Sequence, residues 1–231
     1  AAAQAPKTRE AIANPDCGYF YRRNAKTFTQ IPGTPIAYWA GKRFYRYCSI
    51  ETRASDCSMI QEGLKTSDND RFIRNWFEVS IGKSNLYENQ LNFTWVKHSK
   101  GGPFRRWYGN RFDVLYYKND GEDLKKLKTA SVTGAQNYGK RCISWGRITS
   151  DITSFRYFDA GFIPNMAGLA LYPSANVDIY GLLAFLNTPI ITLFLAATNP
   201  TLNVPPGSVS IIPIDDKAYE NECAQKLAKI N

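Results

Sequence analysis

The stretch YGLLAFLNTPIITLFLAAT, from Tyr180 to Thr198, decides whether the sequence predicts a membrane protein or a globular protein. A spanning helix needs roughly 20 consecutive, mostly apolar residues. Asn187, Thr188 and Pro189 interrupt the run near its middle. Because Thr can cap a new helix and Pro suits the first helical turn, the stretch predicts two short buried helices rather than one membrane span.

Strand-like segments surround these two predicted helices. RFIRNWFEV is rich in aromatic and β-branched residues and alternates faces, with Ile73, Asn75, Phe77 and Val79 on one side, which favours a strand. The predicted strands are RFIRNWFEV (71–79), DVLYY (113–117), RCISWGRI (141–148), AGLALYP (167–173) and the end of PPGSVSIIPI (205–214).

Further helices are predicted near both ends and in the middle of the chain. They cover about 36–47, 122–128 and the amphipathic terminal segment 216–231. Strands followed by packed helices predict an α+β fold with a mixed or antiparallel sheet.

Composition indicates a packed globular chain with a negatively charged partner. The 231 residues are 44% hydrophobic and carry a formal net charge of +9. Such a chain buries a core, and its basic balance favours a polyanion, with nucleic acid first and an anionic membrane second.

The sequence predicts no self-sufficient active site. The five cysteines include no C-x-x-C pair, which argues against a disulfide framework and against a Cys-rich zinc site. The single histidine, His98, lies among Lys97, Ser99 and Lys100, and we expect it to be a solvated loop residue. No dinucleotide-binding or Walker loop is present. TNPTLN (198–203) lacks the second Pro and the aromatic residue of an N-P-P-Y motif, so we expect a helix stop there.

The stretch KGGPFRRWYGN, from Lys100 to Asn110, is the first candidate binding element. Five Lys/Arg and no carboxylate occur between residues 97 and 111. Gly101 and Gly102 allow close backbone approach to a partner, and Arg side chains suit phosphate or guanine. The neighbouring Trp and Tyr stack on bases in one interpretation and line the core beside a solvated basic loop in the other.

The segment GLKTSDNDRFIR (63–74) is the second candidate. Its short polar side chains are typical of a backbone-capping turn, and they also suit base-edge reading, in which Asn pairs with adenine. Its spacing does not fit a calcium loop.

Seven blocks in order carry a family resemblance. They are IPGTPIAYWAGKRF, GLKTSDNDRFIRNWFEV, KGGPFRRWYGN, NDGEDLKKL, ISWGRI, GFIPNMAGLALYP and LLAFLNTPIITLFLAATNPTLNVPPGSVSIIPI. From about residue 19 to 214 the chain resembles the C-terminal half of the PglX-type adenine-specific DNA methyltransferases of BREX phage-defence systems, which are related to type II restriction–modification enzymes. Where that pattern has Thr-Gly-Asp-Asn, this chain has Thr66-Ser67-Asp68-Asn69.

The resemblance implies a DNA target-recognition domain without its catalyst. The family's S-adenosylmethionine loop and N-P-P-Y motif lie upstream, so we expect no cofactor in this chain and S-adenosylmethionine in the parent enzyme. Residues 1–50 would be the junction out of a catalytic domain and 51–231 the recognition domain. The expected partners are double-stranded DNA, the catalytic methyltransferase domain and other defence-system proteins, in the cytoplasm and without a membrane. The expected DNA contacts are Lys65, Ser67, Asn69, Arg71, Lys97, Lys100, Gly101, Gly102, Arg105, Arg106 and Asn110.

Other functions stay open from the sequence. They are a methyltransferase or nuclease in its own right, a protein-interaction scaffold within a defence complex, a surface bound by a phage DNA mimic, and an RNA-binding protein. The chain begins Ala1-Ala2-Ala3-Gln4 without an initiator Met, and we expect it to be a piece of a longer protein.

Overall fold

A computed structural model describes residues 4–149 and 152–230. The chain divides into two compact units, Ala1–Ile50 and Glu51–Asn231. In chain order the helices are α1 (Gln4–Ala13), α2 (Lys42–Cys48), α3 (Ala54–Cys57), α4 (Asn69–Phe72), α5 (Lys118–Lys125), α6 (Ile179–Leu186), α7 (Pro189–Thr198), α8 (Pro206–Ser210), α9 (Asp216–Tyr219) and α10 (Glu222–Ile230). The strands are β1 (Ser58–Gln61), β2 (Ile73–Asn75), β3 (Trp95–Ser99), β4 (Asp113–Tyr116), β5 (Cys142–Gly146), β6 (Arg156–Phe158), β7 (Ile163–Pro164) and β8 (Gly168–Pro173).

The first unit contains α1, a 3-10 turn and α2. The helix predicted from residue 36 begins only at Lys42, because Gly41 is its extended N-cap and the preceding residues form a turn that Ala40 N–H closes on Ala37 O at 3.0 Å. The Tyr45 hydroxyl donates to that same Ala37 carbonyl at 2.9 Å. The turn and the helix are thereby held together within the unit.

The second unit is built on two four-stranded sheets, which confirms the α+β prediction. The first sheet is antiparallel throughout, in the order β1-β8-β5-β6. The second has the order β2-β4-β3-β7, and only its β3–β7 pair is parallel. Two sheets rather than one therefore form the framework of this unit.

The two sheets meet at the end of β3. The Ser99 and Ser144 hydroxyl oxygens lie 3.2 Å apart, and both residues are buried. A Cβ added at Gly168 would lie 2.3 Å from Ser99 O, so only glycine permits this approach of β8 to β3. The segment that follows β3 therefore begins at this contact between the two sheets, which we call the seam.

The apolar run forms α6 and α7, as predicted. Leu182, Leu186 and Phe194 are buried, with an exposed fraction of at most 1%. Across the described ranges, no single helix has the length and apolar character needed to cross a bilayer; α6 and α7 reach that length only as a pair bent by 62°. Within the second unit, α6 packs against α10 and against strands β5 and β6, and α7 packs against α8.

Three other predictions about local structure were wrong. The strand predicted over 71–79 is only the three-residue β2, because Asp68 caps α4 just before it and Trp76–Glu78 forms a 3-10 turn just after it. No strand is assigned in 205–214, where α8 forms instead and Pro213 makes one isolated bridge to Arg53. The terminal helix is divided into α9 and α10.

Candidate nucleic-acid interface

The polar segment 63–74 is a turn built on backbone hydrogen bonds. Leu64 N–H donates to Pro164 O at 2.8 Å, and Lys65 exchanges backbone bonds of 2.8 and 3.0 Å with Ser131. Asp68 then accepts from Arg71 N–H at 3.0 Å and starts α4. The Lys65 side chain is exposed, although the backbone is held by hydrogen bonds at Lys65 itself and at Asp68.

Ser67 occupies the position where the resembling pattern has glycine. Its φ of +61° lies in the left-handed region that glycine adopts most readily. The Ser67 hydroxyl donates to Thr129 O, and the buried Thr66 hydroxyl donates to Asn69 Oδ1. The turn thus keeps a glycine-type geometry around a serine, and two side-chain bonds hold it.

The glycine loop, residues 100–110, begins at the seam between the sheets. Gly101 and Gly102 have φ values of +96° and +108°. A Cβ on Gly101 would lie 2.9 Å from Ala167 O, and one on Gly102 would lie 3.1 Å from the Asn110 amide carbon. Both glycines are therefore required by the path of the loop, so their structural role is explained without a ligand.

The middle of the glycine loop pairs with strand β6. Trp107 N–H donates to Phe155 O at 3.0 Å, and Trp107 O accepts from Tyr157 N–H at 2.9 Å. Trp107 itself has a φ of +71° and is half-buried, whereas Tyr108 beside it is 56% exposed. Of the two aromatic residues, Tyr108 is thus the more available for stacking.

Asn110 closes the glycine loop. Its Nδ2 donates to Pro103 O at 2.9 Å, across the mouth of the loop. Its φ of +55° is one that Asn tolerates better than most residues. The amide that the sequence suggested for base reading is therefore engaged within the loop.

The two candidate segments meet in one cleft of about 370 Å³, which we call the Lys100 cleft. Side chains of both predicted elements line it, together with the loop that follows β7. Its lining contains two lysines, hydroxyls and amides, and no carboxylate from the described residues. The lining residues are Lys65, Thr66, Ser67, Asn69, Lys100, Asn165, Met166 and Ala167.

His98 and Asn165 support this cleft from inside. Contrary to the prediction of a solvated loop histidine, His98 is fully buried in β3. Its Nδ1 donates to Ile163 O at 2.7 Å, and its Nε2 lies 3.2 Å from Asn165 Nδ2, which donates to it. Burial, with a smaller contribution from the charge on Lys100, lowers the pKa of His98 to about 4. The imidazole is therefore neutral and structural.

A second cleft, of about 180 Å³, is lined in part by the glycine loop. We call it the Arg156 cleft. Gly102, Pro103 and Phe104 line it together with Gly146 and residues near β6, and Arg156 is among them. Burial alone lowers the pKa of Arg156 to about 10, so the side chain stays cationic at neutral pH.

A third cleft, of about 380 Å³, is aromatic, and we call it the Tyr108 cleft. Arg111 bonds Asp159 at 2.7 Å, and its guanidinium carbon lies 3.8 Å from the centre of the Tyr108 ring. Lys97 lines the same cleft, with its Nζ 5.2 Å from the Phe162 ring, and desolvation lowers its pKa. Lys97 thus lies apart from the Lys100 cleft.

The structure distributes the predicted contact residues over several places. Lys65, Ser67, Asn69 and Lys100 come together, whereas Arg105 is exposed on the glycine loop and Arg106 is half-buried beside it. Arg71 is exposed and lies 4.8 Å from the ring of its neighbour Phe72.

Arg156 and Asn165 were not anticipated from the sequence. Each lies on a short element or loop whose burial depends on distant partners: Arg156 opposite Ser144, and Asn165 against His98. The one available signal was a single charged residue in the apolar run SFRYF (154–158).

Within residues 4–149 and 152–230, no group of three or more His, Cys, Asp or Glu side chains is placed to hold a metal ion.

No protein-family model matches the chain. Over 88% of its length it is 34% identical to a protein named adenine-specific methyltransferase PglX from Lacticaseibacillus casei (strain Zhang). Over the same share it is 32% identical to one named adenine-specific methyltransferase BrxX from Escherichia coli O9:H4 (strain HS). The chain spans only 17–18% of the length of these relatives.

Proposed function

We propose that this chain is the DNA target-recognition region of an adenine-N6 DNA methyltransferase of a phage-defence system. The observation that carries the proposal is the Lys100 cleft, in which the two segments singled out for DNA contact meet. Similarity to two adenine-specific methyltransferases over 88% of the chain supports it independently.

The chemistry of the cleft suits a nucleic acid. Lys65 and Lys100 neutralise phosphate charge, which provides affinity without sequence information. Asn69 carries an amide of the type that pairs with base edges, whereas the buried amide of Asn165 is already bonded to His98 Nε2 and Ala167 N–H. Since no described carboxylate lines the cleft, nothing there repels a polyanion.

Catalysis belongs, in this proposal, to another part of the parent enzyme. S-adenosylmethionine and the adenine-flipping site would be supplied by a catalytic domain, with residues 1–50 leading out of it and 51–231 reading the DNA. The assembled enzyme would act in the cytoplasm, with other defence-system proteins as further partners.

The test is fluorescence anisotropy of a randomised duplex over a salt series. For a K65A/K100A double variant we expect weaker binding and a log–log salt slope shallower by about two, which corresponds to two lost phosphate contacts. The matched control is K125A/K126A, which also removes two positive charges, from lysines that are ion-paired on or just after α5. Equal slopes for both double variants would remove the Lys100 cleft as the DNA contact.

A second candidate is a protein-interaction scaffold within a defence complex. It is favoured by the exposure of large aromatic residues near the Tyr108 cleft: Trp76, Phe77 and Tyr87 are 40%, 64% and 83% exposed. This candidate would be favoured if the chain did not bind duplex DNA at low salt, or if its affinity for duplex DNA did not change with salt concentration.

A further inference from the structure

Arg156 is a buried cation without a counter-charge among the described residues. Its exposed fraction is 1%, although it lines the Arg156 cleft. Its Nε and one terminal nitrogen, Nη2, are buried without a hydrogen-bond partner in the part of the chain that the structure describes. The remaining nitrogen, Nη1, makes only long contacts of 3.4 Å, to Arg105 O and to the Ser154 hydroxyl.

Such an arrangement is unfavourable unless something else supplies negative charge. Removing an ion from water is energetically unfavourable, and a guanidinium carries five donors that need acceptors. Buried charges in proteins are accordingly paired or hydrogen-bonded. The unsatisfied donors of Arg156 indicate a ligand that accepts hydrogen bonds and carries negative charge.

The cleft around Arg156 has the size and lining for a small anion. Its volume of about 180 Å³ is well above the roughly 10–15 Å³ that one water molecule requires on the same measure. Gly102 and Gly146 leave its wall free of side-chain bulk, and Thr153 and Ser154, which carry hydroxyls, also line it, with the Ser154 hydroxyl 3.4 Å from Nη1 of Arg156. Arg105 and Arg106 on the adjoining loop add positive charge.

We propose that the Arg156 cleft binds a single phosphate group. The guanidinium fork supplies two donors in a plane and the hydroxyls supply others, a combination that matches the several acceptor oxygens of a phosphate. Two sources share this chemistry, a phosphodiester of the DNA backbone and a free phosphate ion. This part of the proposal rests on the proposed function: we expect the ligand to be a phosphodiester of the DNA backbone.

The first arm of the test measures thermal unfolding in sodium phosphate against sodium chloride at equal ionic strength. The melting temperature of the wild type is expected to rise with phosphate beyond its value in chloride, because a ligand of the folded state alone stabilises it. The R156Q variant is expected to show no such difference. The proposed site would be wrong if phosphate raised the melting temperature equally in the wild type and in R156Q, or did not raise it in the wild type.

A second variant leaves Arg156 in place. In G146A the new methyl group would have ordinary contacts, 3.5 Å to Ile148 O and 4.0 Å to Gly102 O, so the protein should fold while the cleft narrows. We expect a smaller phosphate effect, with G207A, at an open position, as control. An unchanged phosphate effect in G146A would place the phosphate elsewhere.

A third variant, D151N, removes a carboxylate that is close to Arg156 in the sequence and lies outside the described residues. If phosphate raised the melting temperature of D151N but not that of the wild type, the proposal would be overturned, because Asp151 would then be the counter-charge of Arg156.

The second arm identifies the source of the phosphate with a randomised duplex. If the source is the DNA backbone, R156Q weakens duplex binding about tenfold, and inorganic phosphate competes with duplex in the wild type but not in R156Q. If R156Q and wild type bind duplex equally while phosphate still needs Arg156, the backbone assignment is overturned and free phosphate is the ligand. A wild type that binds phosphate but no duplex contradicts the proposed function and leaves the site itself supported.

Discussion

Asn165 Nδ2 lies 3.2 Å from the Nε2 of His98, and both side chains are buried, with Asn165 also lining the Lys100 cleft. Asn165 Oδ1 in turn accepts from Ala167 N–H at 2.9 Å. One amide therefore connects a buried strand to the loop that lines the cleft. The pair works only with a neutral imidazole, because protonation would turn Nε2 into a donor facing another donor.

The first prediction is that His98 makes stability depend on pH. The pKa is about 4 in the folded chain and about 6.5 when unfolded, so the unfolded state binds the proton more readily. The contribution of His98 to the free energy of unfolding is fully present above the unfolded-state pKa. It falls as the pH drops towards the folded-state pKa, by about 2 kcal/mol between pH 7 and pH 5. Urea unfolding at several pH values measures this.

The control for that experiment is H98Q, which does not titrate. Carboxylates with lowered pKa values, such as Asp159 and Asp120, are present in both proteins, so the difference between the two profiles isolates His98. A difference that stays constant between pH 7 and pH 5 would contradict the assignment of a buried neutral histidine.

The second prediction concerns Gly63 at the start of the polar turn. A Cβ there would lie 2.0 Å from Pro164 O, which is backbone and cannot move aside alone. G63A should lose stability at or beyond the upper end of the roughly 1–3 kcal/mol seen for overpacking. A Cβ at Gly82 would meet no atom within 4 Å, so G82A serves as control. Equal denaturation midpoints for the two variants would argue against the close approach.

The third prediction separates base reading from loop closure at Asn110. Because its amide bonds Pro103 O, N110A should loosen the glycine loop and raise its cleavage rate in limited proteolysis. Its effect on DNA affinity should then be the same for every target sequence. Relaxed selectivity at one base pair, measured by sequence selection, would instead assign Asn110 to base contact.

The fourth prediction concerns Asn187, where the apolar run is interrupted. Its amide accepts from Phe155 N–H at 3.1 Å and donates to Phe155 O at 3.0 Å and Leu183 O at 3.1 Å. N187A would leave the buried Phe155 N–H unpaired, whereas Phe155 O and Leu183 O keep backbone donors. The variant should therefore cost about 1–3 kcal/mol in urea unfolding. The exposed Asn176 provides the control, since N176A should change stability by less than about 0.5 kcal/mol. Comparable losses in both would refute this role.

Sequence patterns identified the elements whose signal is local. β4, β5, β8 and the α6–α7 pair follow from continuous apolar runs bounded by turn residues, and Pro189 occupies the first turn of α7 as expected. The breaks in these runs are chemical features of the chain itself, so no distant partner was needed to find them.

The errors occurred where distant partners decide the outcome. His98 has lysines and a serine as neighbours, yet it is buried because β3 pairs with β7, a strand of only two residues that no periodicity reveals. Similarly, the alternation in 71–79 suggested a long strand, but the Asp68 cap and the pairing with β4 limit it to three residues. For the Lys100 cleft, the sequence indicated the two segments that line it. It did not indicate that they lie side by side, because that depends on the contact between the sheets at Ser99.

The pairing of Trp107 with β6 also bears on solubility. β6 is the last strand of the first sheet, and an end strand offers unpaired N–H and C=O groups to any other extended chain. The glycine loop occupies those groups at Phe155 and Tyr157. Shortening the loop to alter what the protein binds would therefore uncover a sheet edge, and the expected failure is association of the molecules with one another before any change in specificity is seen.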